Sequence, residues 1–214
     1  MFVSVKKILT EDGPSVEPSG PDALAEFLGE FEERLRGQGV EVDKYLAPGV
    51  ENSRVKAALA EIELSPPQEL LAWFAWRNGL TAPDGESLRG NILPPFISPV
   101  SVEMAIKRFR VASIRPAELQ WDFSSEWLKI SSERFGVSVR CSGDASEAPV
   151  VRWVDIDHPV GSNDRSHQVV SLCTVVNWWN EALDLGVFRW LRDETRWEWD
   201  YSLMTEEQRQ FGFV

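Results

Sequence analysis

The chain has 214 residues, with 34 acidic and 22 basic side chains, a formal net charge of −12 and 43% hydrophobic residues. This is a globular composition, and the length favours one domain with enough burial to need neither a disulfide nor a structural metal. The negative balance disfavours broad nucleic-acid and anionic-membrane binding, since both need positive surface.

Residues 1–19 read as a flexible lead, broken by Gly13, Pro14 and Pro18. No long apolar stretch follows Lys6 and Lys7, so no signal peptide is expected. No segment reaches about 18 consecutive apolar residues, so none is expected to span a membrane. Cys141 and Cys173 lie far apart and read as reduced, buried side chains. A reducing cytoplasm is the expected location.

Pro21 to Arg36 predicts a helix, with Leu24, Phe27, Leu28, Phe31 and Leu35 at helical spacing. Asn52 to Ile62 predicts a second, with Val55, Ala58, Leu59 and Ile62 on one face. Ser65-Pro66-Pro67-Gln68 predicts the start of a third. Ser65 and Gln68 have capping-box spacing, and Pro66 suits the first helical position. Asn78-Gly79 predicts a left-handed exit after Arg77. Ser101 to Arg110 predicts a fourth helix with Ser101 as its cap.

Trp127 to Ser131, Phe135 to Cys141 and Val150 to Asp155 predict short strands. Val137, Val139 and Cys141 alternate with Ser138 and Arg140, so one face should be buried. Gln168 to Leu185 predicts a late helix. The order of elements favours an α+β fold. It implies an antiparallel sheet of about four to six strands, flanked by helices, in a single compact domain over residues 20–214. Near the C-terminus, Trp197, Trp199 and Tyr201 alternate with charged residues. As a strand, that stripe either covers core or presents aromatic anchors to a partner.

The acid is concentrated. Residues 11–33 and 193–207 carry −8 and −5, leaving the rest near neutral. Such windows are either solvated faces or an acidic surface for a basic partner. Motifs for small-molecule chemistry are missing: the chain has no glycine-rich phosphate loop and no G-x-S-x-G. Asp155, Asp157 and His158 are the candidate metal ligands of a small hydrolase. On a strand, however, His158 points away from the two carboxylates. No cofactor and no catalytic set are expected.

The segment from Tyr45 to Gly79 adds a resemblance. Tyr45-Leu46-Ala47-Pro48-Gly49-Val50 leads into a short helix, and Leu64-Ser65-Pro66-Pro67 opens a helix that carries Trp73 and Trp76 and ends in Asn78-Gly79. Trp127-Leu128-Lys129-Ile130, then Phe135-Gly136, and the late helix complete the pattern. Over roughly Tyr45 to Gly186 the chain resembles the SUKH superfamily, related to yeast regulators of cell-wall synthesis. Lys129 stands where that family usually has proline, and Ser131 to Gly136 shortens its central turn. The resemblance implies that Trp73, Trp76 and Asn78 are scaffold, with Asn78 as a cap. In bacteria it implies an immunity protein that neutralises a cognate polymorphic toxin by binding it. A regulatory interaction adaptor is the alternative. The expected partner is a basic protein domain. The candidate contact residues are Asp144, Glu147, Asp155, Asp157, Asp193, Glu194, Trp197, Glu198, Trp199 and Asp200.

Overall fold

The computed structural model describes residues 4–10, 13–81, 93–94, 98–114, 126–131, 136–141, 151–154 and 169–206. Strands β1 (Lys6–Thr10) and β2 (Gly13–Glu17) form an antiparallel hairpin with Lys6 opposite Glu17. The expectation of a flexible lead is therefore corrected. Val16 is buried in the core, and Lys7 Nζ meets Glu181 at 2.9 Å, so the hairpin has both an apolar and an ionic anchor.

Helix α1 spans Pro21–Gln38 and buries the predicted stripe from Leu24 to Leu35. It exits through Gly39, left-handed at φ 92°, whose N–H returns to the last turn. Helix α2 (Val42–Tyr45), strand β3 (Leu46–Pro48), helix α3 (Asn52–Ala60) and helix α4 (Gln68–Trp76) follow.

Both predicted ends of α4 need correction. The helix starts at Gln68 with Pro67 as its cap, and no side chain caps it. A residue before proline is pushed out of the helical region, so Pro66 cannot open a helix ahead of Pro67. Ser65 instead donates its N–H to Cys141 O at 3.1 Å, which ties the approach to the strand region. At the other end, Arg77 is already extended, and Arg77–Leu80 forms strand β4, antiparallel to β3. Asn78 does cap a helix, but a different one: its Oδ1 accepts from Val102 N–H at 2.9 Å, at the start of α5 (Val102–Ser113). Gly79 sits at φ 83°, and a Cβ there would lie 2.3 Å from Ser101 N. Only glycine allows that approach. The predicted Ser101 cap is present, its Oγ accepting from Met104 N–H at 3.2 Å.

Strands β5 (Trp127–Lys129), β6 (Gly136–Arg140), β7 (Val151–Val154) and β8 (Val169–Val170) form one antiparallel sheet in sequential order. Val137, Val139 and Cys141 are buried as predicted, and Ser138 is buried too. Helix α6 starts at Leu172, not Gln168, because β-branched Val169 and Val170 pair with β7 and Ser171 caps the helix through Thr174 N–H. It ends at Asp184. Strands β9 (Phe188–Leu191) and β10 (Arg196–Trp199) form a terminal hairpin, followed by one 3-10 turn, Tyr201–Leu203. The fold is α+β and antiparallel throughout its described pairs. The expected sheet of about four to six strands is met only at its lower bound, by β5–β8, and the other described strands form three separate two-stranded pairs.

Helices α1, α4 and α6 meet around an aromatic cluster. Phe31 and Trp179 rings lie 5.4 Å apart, Trp73 and Trp179 6.2 Å, and Trp73 and Trp76 5.4 Å. The Trp73 and Trp179 indole nitrogens are buried without a hydrogen-bond partner. Packing alone therefore holds those two rings. Among the described residues, no helix is long and apolar enough to cross a membrane.

Candidate protein-binding surface

The terminal hairpin is docked through a side chain that imitates a neighbouring strand. Gln38, at the end of α1, accepts from Trp190 N–H at 2.8 Å and donates to Phe188 O at 3.3 Å. That fixes β9 against α1 and places β10 outermost. Phe188 is buried against Trp178 and Tyr201, and Trp190 and Trp197 rings meet edge to face at 5.2 Å.

The predicted aromatic contacts therefore separate. Trp197 is core, so it offers no ring to a partner, and its place in the expected contact set is corrected. Trp199, two residues on, is 47% exposed. Tyr201 leaves the strand for the 3-10 turn and is half-buried. The core-covering reading holds for Trp197 and in part for Tyr201, which packs on Phe188, but not for Trp199.

The predicted carboxylates differ in how far local arginines neutralise them. Asp193 is exposed in the hairpin turn. Glu194 meets Arg196 Nε at 2.6 Å, and Glu198 pairs with Arg189 across the strands. Asp200 accepts from the Ser202 hydroxyl and backbone N–H, which hold its carboxyl below the ordinary aspartate range. Asp144, Glu147, Asp155 and Asp157 lie outside the described residues, as do His158 and His167. Among the described residues, no cluster of His, Cys, Asp and Glu is arranged to hold a metal ion.

The first acidic window divides in the same way. Asp22, Glu26 and Glu33 are exposed on α1, away from its buried stripe. Glu32 instead faces inward. It accepts from Trp76 Nε1 at 2.8 Å and from Arg77 at 2.6 Å, and also pairs with Arg36. Arg77, and then Arg36, in turn hold the Asp43 carboxyl below its ordinary range. Glu30 and Asp184 share Arg34. These groups tie α1 to its neighbours through arginines, while the outer row of α1 faces solvent as an acidic surface.

Among the described residues, five exposed apolar side chains escape the sequence reading: Met104, Val111 and Ile114 along α5 and just past it, and Leu185 and Leu203 near the terminal hairpin. Leu185, just past α6, is 41% exposed, and Leu203, in the 3-10 turn, is 48% exposed. Gly186, the residue after Leu185, comes close to Leu203: a Cβ on it would lie 4.0 Å from Leu203 Cδ1. The backbone of Asp200 bonds to Val187 O, which brings the end of β10 alongside them. Leu185, Trp199 and Leu203 thus lie within three residues of the Val187–Asp200 backbone bond, with Asp184 and Asp200 beside them in the chain. Periodicity could not show this, because Leu185 follows a helix, Leu203 closes a single 3-10 turn, and neither belongs to a stripe.

The two thiols are unsuited to nucleophilic work. Both are unpaired and buried. Burial pushes Cys141 up to about 12, and burial together with the Glu69 carboxylate raises Cys173. Neither is a thiolate near neutral pH. The chain matches no protein-family model, and no curated protein matches it in sequence.

Proposed function

We propose that this chain is a non-enzymatic protein-binding module, and that it serves as an immunity protein of the SUKH kind, neutralising a basic toxin domain by occupying its surface. One observation carries the reading: the segments that flank the open end of the terminal hairpin expose Leu185, Trp199 and Leu203, with the carboxylates of Asp184 and Asp200 adjacent in the chain. Exposed apolar residues rimmed by charge suit a protein partner better than a small molecule. Tryptophan is a common anchor at such centres. The carboxylates at Asp193, Asp200 and along outer α1 add a negative field, which speeds encounter with a cationic partner and penalises acidic ones.

The test pairs the full chain with the product of the adjacent gene. Co-expression is expected to protect cells from that product, and the two purified proteins to co-migrate. Association is expected to slow at least tenfold on moving from low to high salt, as steered encounters do. Separate migration with no protection overturns the immunity reading. Tight binding that is indifferent to salt removes the electrostatic part.

A further inference from the structure

Glu69 lies in the first turn of α4, and its side chain is wholly removed from solvent. A carboxylate there costs heavily unless donors surround it. Three do, from two other parts of the chain. Gly20 N–H donates to Oε1 at 3.0 Å, Leu172 N–H to Oε2 at 3.0 Å, and the Cys173 thiol to Oε1 at 3.3 Å. Gly20 is the residue that precedes α1, and Leu172 is the first residue of α6. Amides at a helix start have no partner within their own helix. Gly20 has no side chain with which to cap α1, and the Ser171 hydroxyl is directed to Thr174 N–H. Glu69 thus supplies, from a third helix, the acceptor that both starts lack. Its charge also suits the positive end of each helix.

We propose that Glu69 is a conformational latch: one carboxylate couples the starts of α1 and α6, and through Gly20 it holds the N-terminal hairpin on the body. The hairpin's other anchors point to the same place. Lys7 pairs with Glu181 on α6, Val16 enters the shared core, and the three residues from Pro18 lead directly to the latch. Residues 4–10 and 13–24 and the first turn of α6 therefore open as one unit, short of global unfolding. Such sub-global units are read by amide hydrogen exchange.

The experiment follows the amides of Gly20, Leu24, Leu172 and Val175 in the full chain by NMR. Leu24 and Val175 carry the first backbone bonds of the two helices, to Gly20 O and Ser171 O. In the unmodified chain the four protection factors are expected to agree within about threefold, as one opening event requires. In Glu69→Gln, one acceptor becomes an amide NH2 facing an N–H donor. Protection at all four is expected to fall together, about ten- to a hundredfold. Met104 N–H, capped separately by Ser101, should not change. Cys173→Ala keeps both backbone bonds and should shift the four by less than about threefold. If only one helix start responds to Glu69→Gln, or neither does, the latch is wrong. If that variant does not fold, the unmodified chain decides alone: protection at Gly20 and Leu172 differing by more than about tenfold overturns the proposal.

Discussion

Two groups of tryptophans meet different fates. Where α1, α4 and α6 converge, Trp73 and Trp179 are fully buried and Trp76 is half-buried over Glu32. On the terminal hairpin, Trp190 and Trp197 are buried, but Trp199, on the same face as Trp197, is half out in water. The difference lies in what faces each stripe. A helix packed along a neighbouring helix meets cover over its whole length, so every residue at helical spacing goes inside. A strand's two-residue period fixes the face, but not how far the covering body reaches. Here α1 ends at Gln38, beside Phe188 and Trp190. Trp199 lies opposite buried Phe188 and is still 47% exposed, so the cover over β9 does not reach across to the last residue of β10.

The sharpest way to break this comparison is to cut a ring from each group. Trp179→Ala removes the ring shared by Phe31 and Trp73. It is expected to cost about 3–5 kcal/mol in denaturant unfolding, since a large cavity opens where three rigid helices leave no room to collapse. A loss below about 1.5 kcal/mol would show that the helical cluster is not the keystone. Trp197→Ala should cost less, about 3 kcal/mol, because the Trp190 ring can partly close the gap. Its near-ultraviolet dichroism should lose the signal of the Trp190–Trp197 edge-to-face pair. Equal costs at the two sites would mean that the hairpin is as much core as the helices are.

A pH titration sharpens the comparison on the helical side, where Glu69 lies one helical turn before Trp73. Burial raises the Glu69 carboxyl above the ordinary glutamate value of 4.5, against the pull of Cys173 and the backbone donors. The folded chain therefore holds this proton more tightly than the unfolded chain does. The contribution is fully present below pH 4.5 and is lost as pH rises through the raised value; above that it is level. The difference in unfolding free energy between the unmodified chain and Glu69→Gln should show this downward step with rising pH. A flat difference from pH 4 to 8, or an upward one, would mean that the donors outweigh burial.

Much of the helical half was legible because its signals are local. The α1 stripe, the Ser101 cap and the buried β6 positions Val137, Val139 and Cys141 each depend on a few adjacent residues and appear where predicted, although Ser138 is buried as well. Failures came where a distant group decided the matter. Asn78-Gly79 has the composition of a helix exit, yet Asn78 caps α5, 24 residues away, and Gly79 makes room for Ser101. Ser65 looked like a cap until the two prolines kept its segment extended. Glu69 carries no signal of its own, since nothing near it in sequence announces Gly20 or Leu172. In the candidate surface, Asp193, Glu194, Glu198 and Asp200 were found by charge density. Which of them keeps its charge unpaired depends on Arg189 and Arg196, and on a strand register that composition does not encode.

The smallest effect on stability is also the most discriminating. Trp199→Ala should cost less than about 1 kcal/mol of folding free energy, because a half-exposed ring gives up little buried area and water fills the space. The same substitution should weaken capture of the basic partner at least tenfold, the loss typical of an aromatic anchor at an interface centre. Leu203→Ala, beside Gly186, should follow with a smaller loss. Trp197→Ala gives the opposite profile: a large loss of stability and, under conditions where the chain stays folded, little change in affinity. Two residues apart on one strand face, the pair separates scaffold from surface. If Trp199→Ala were costly to fold and neutral to binding, the open end of the hairpin would be core after all, and the contact surface would have to be sought along the outer row of α1.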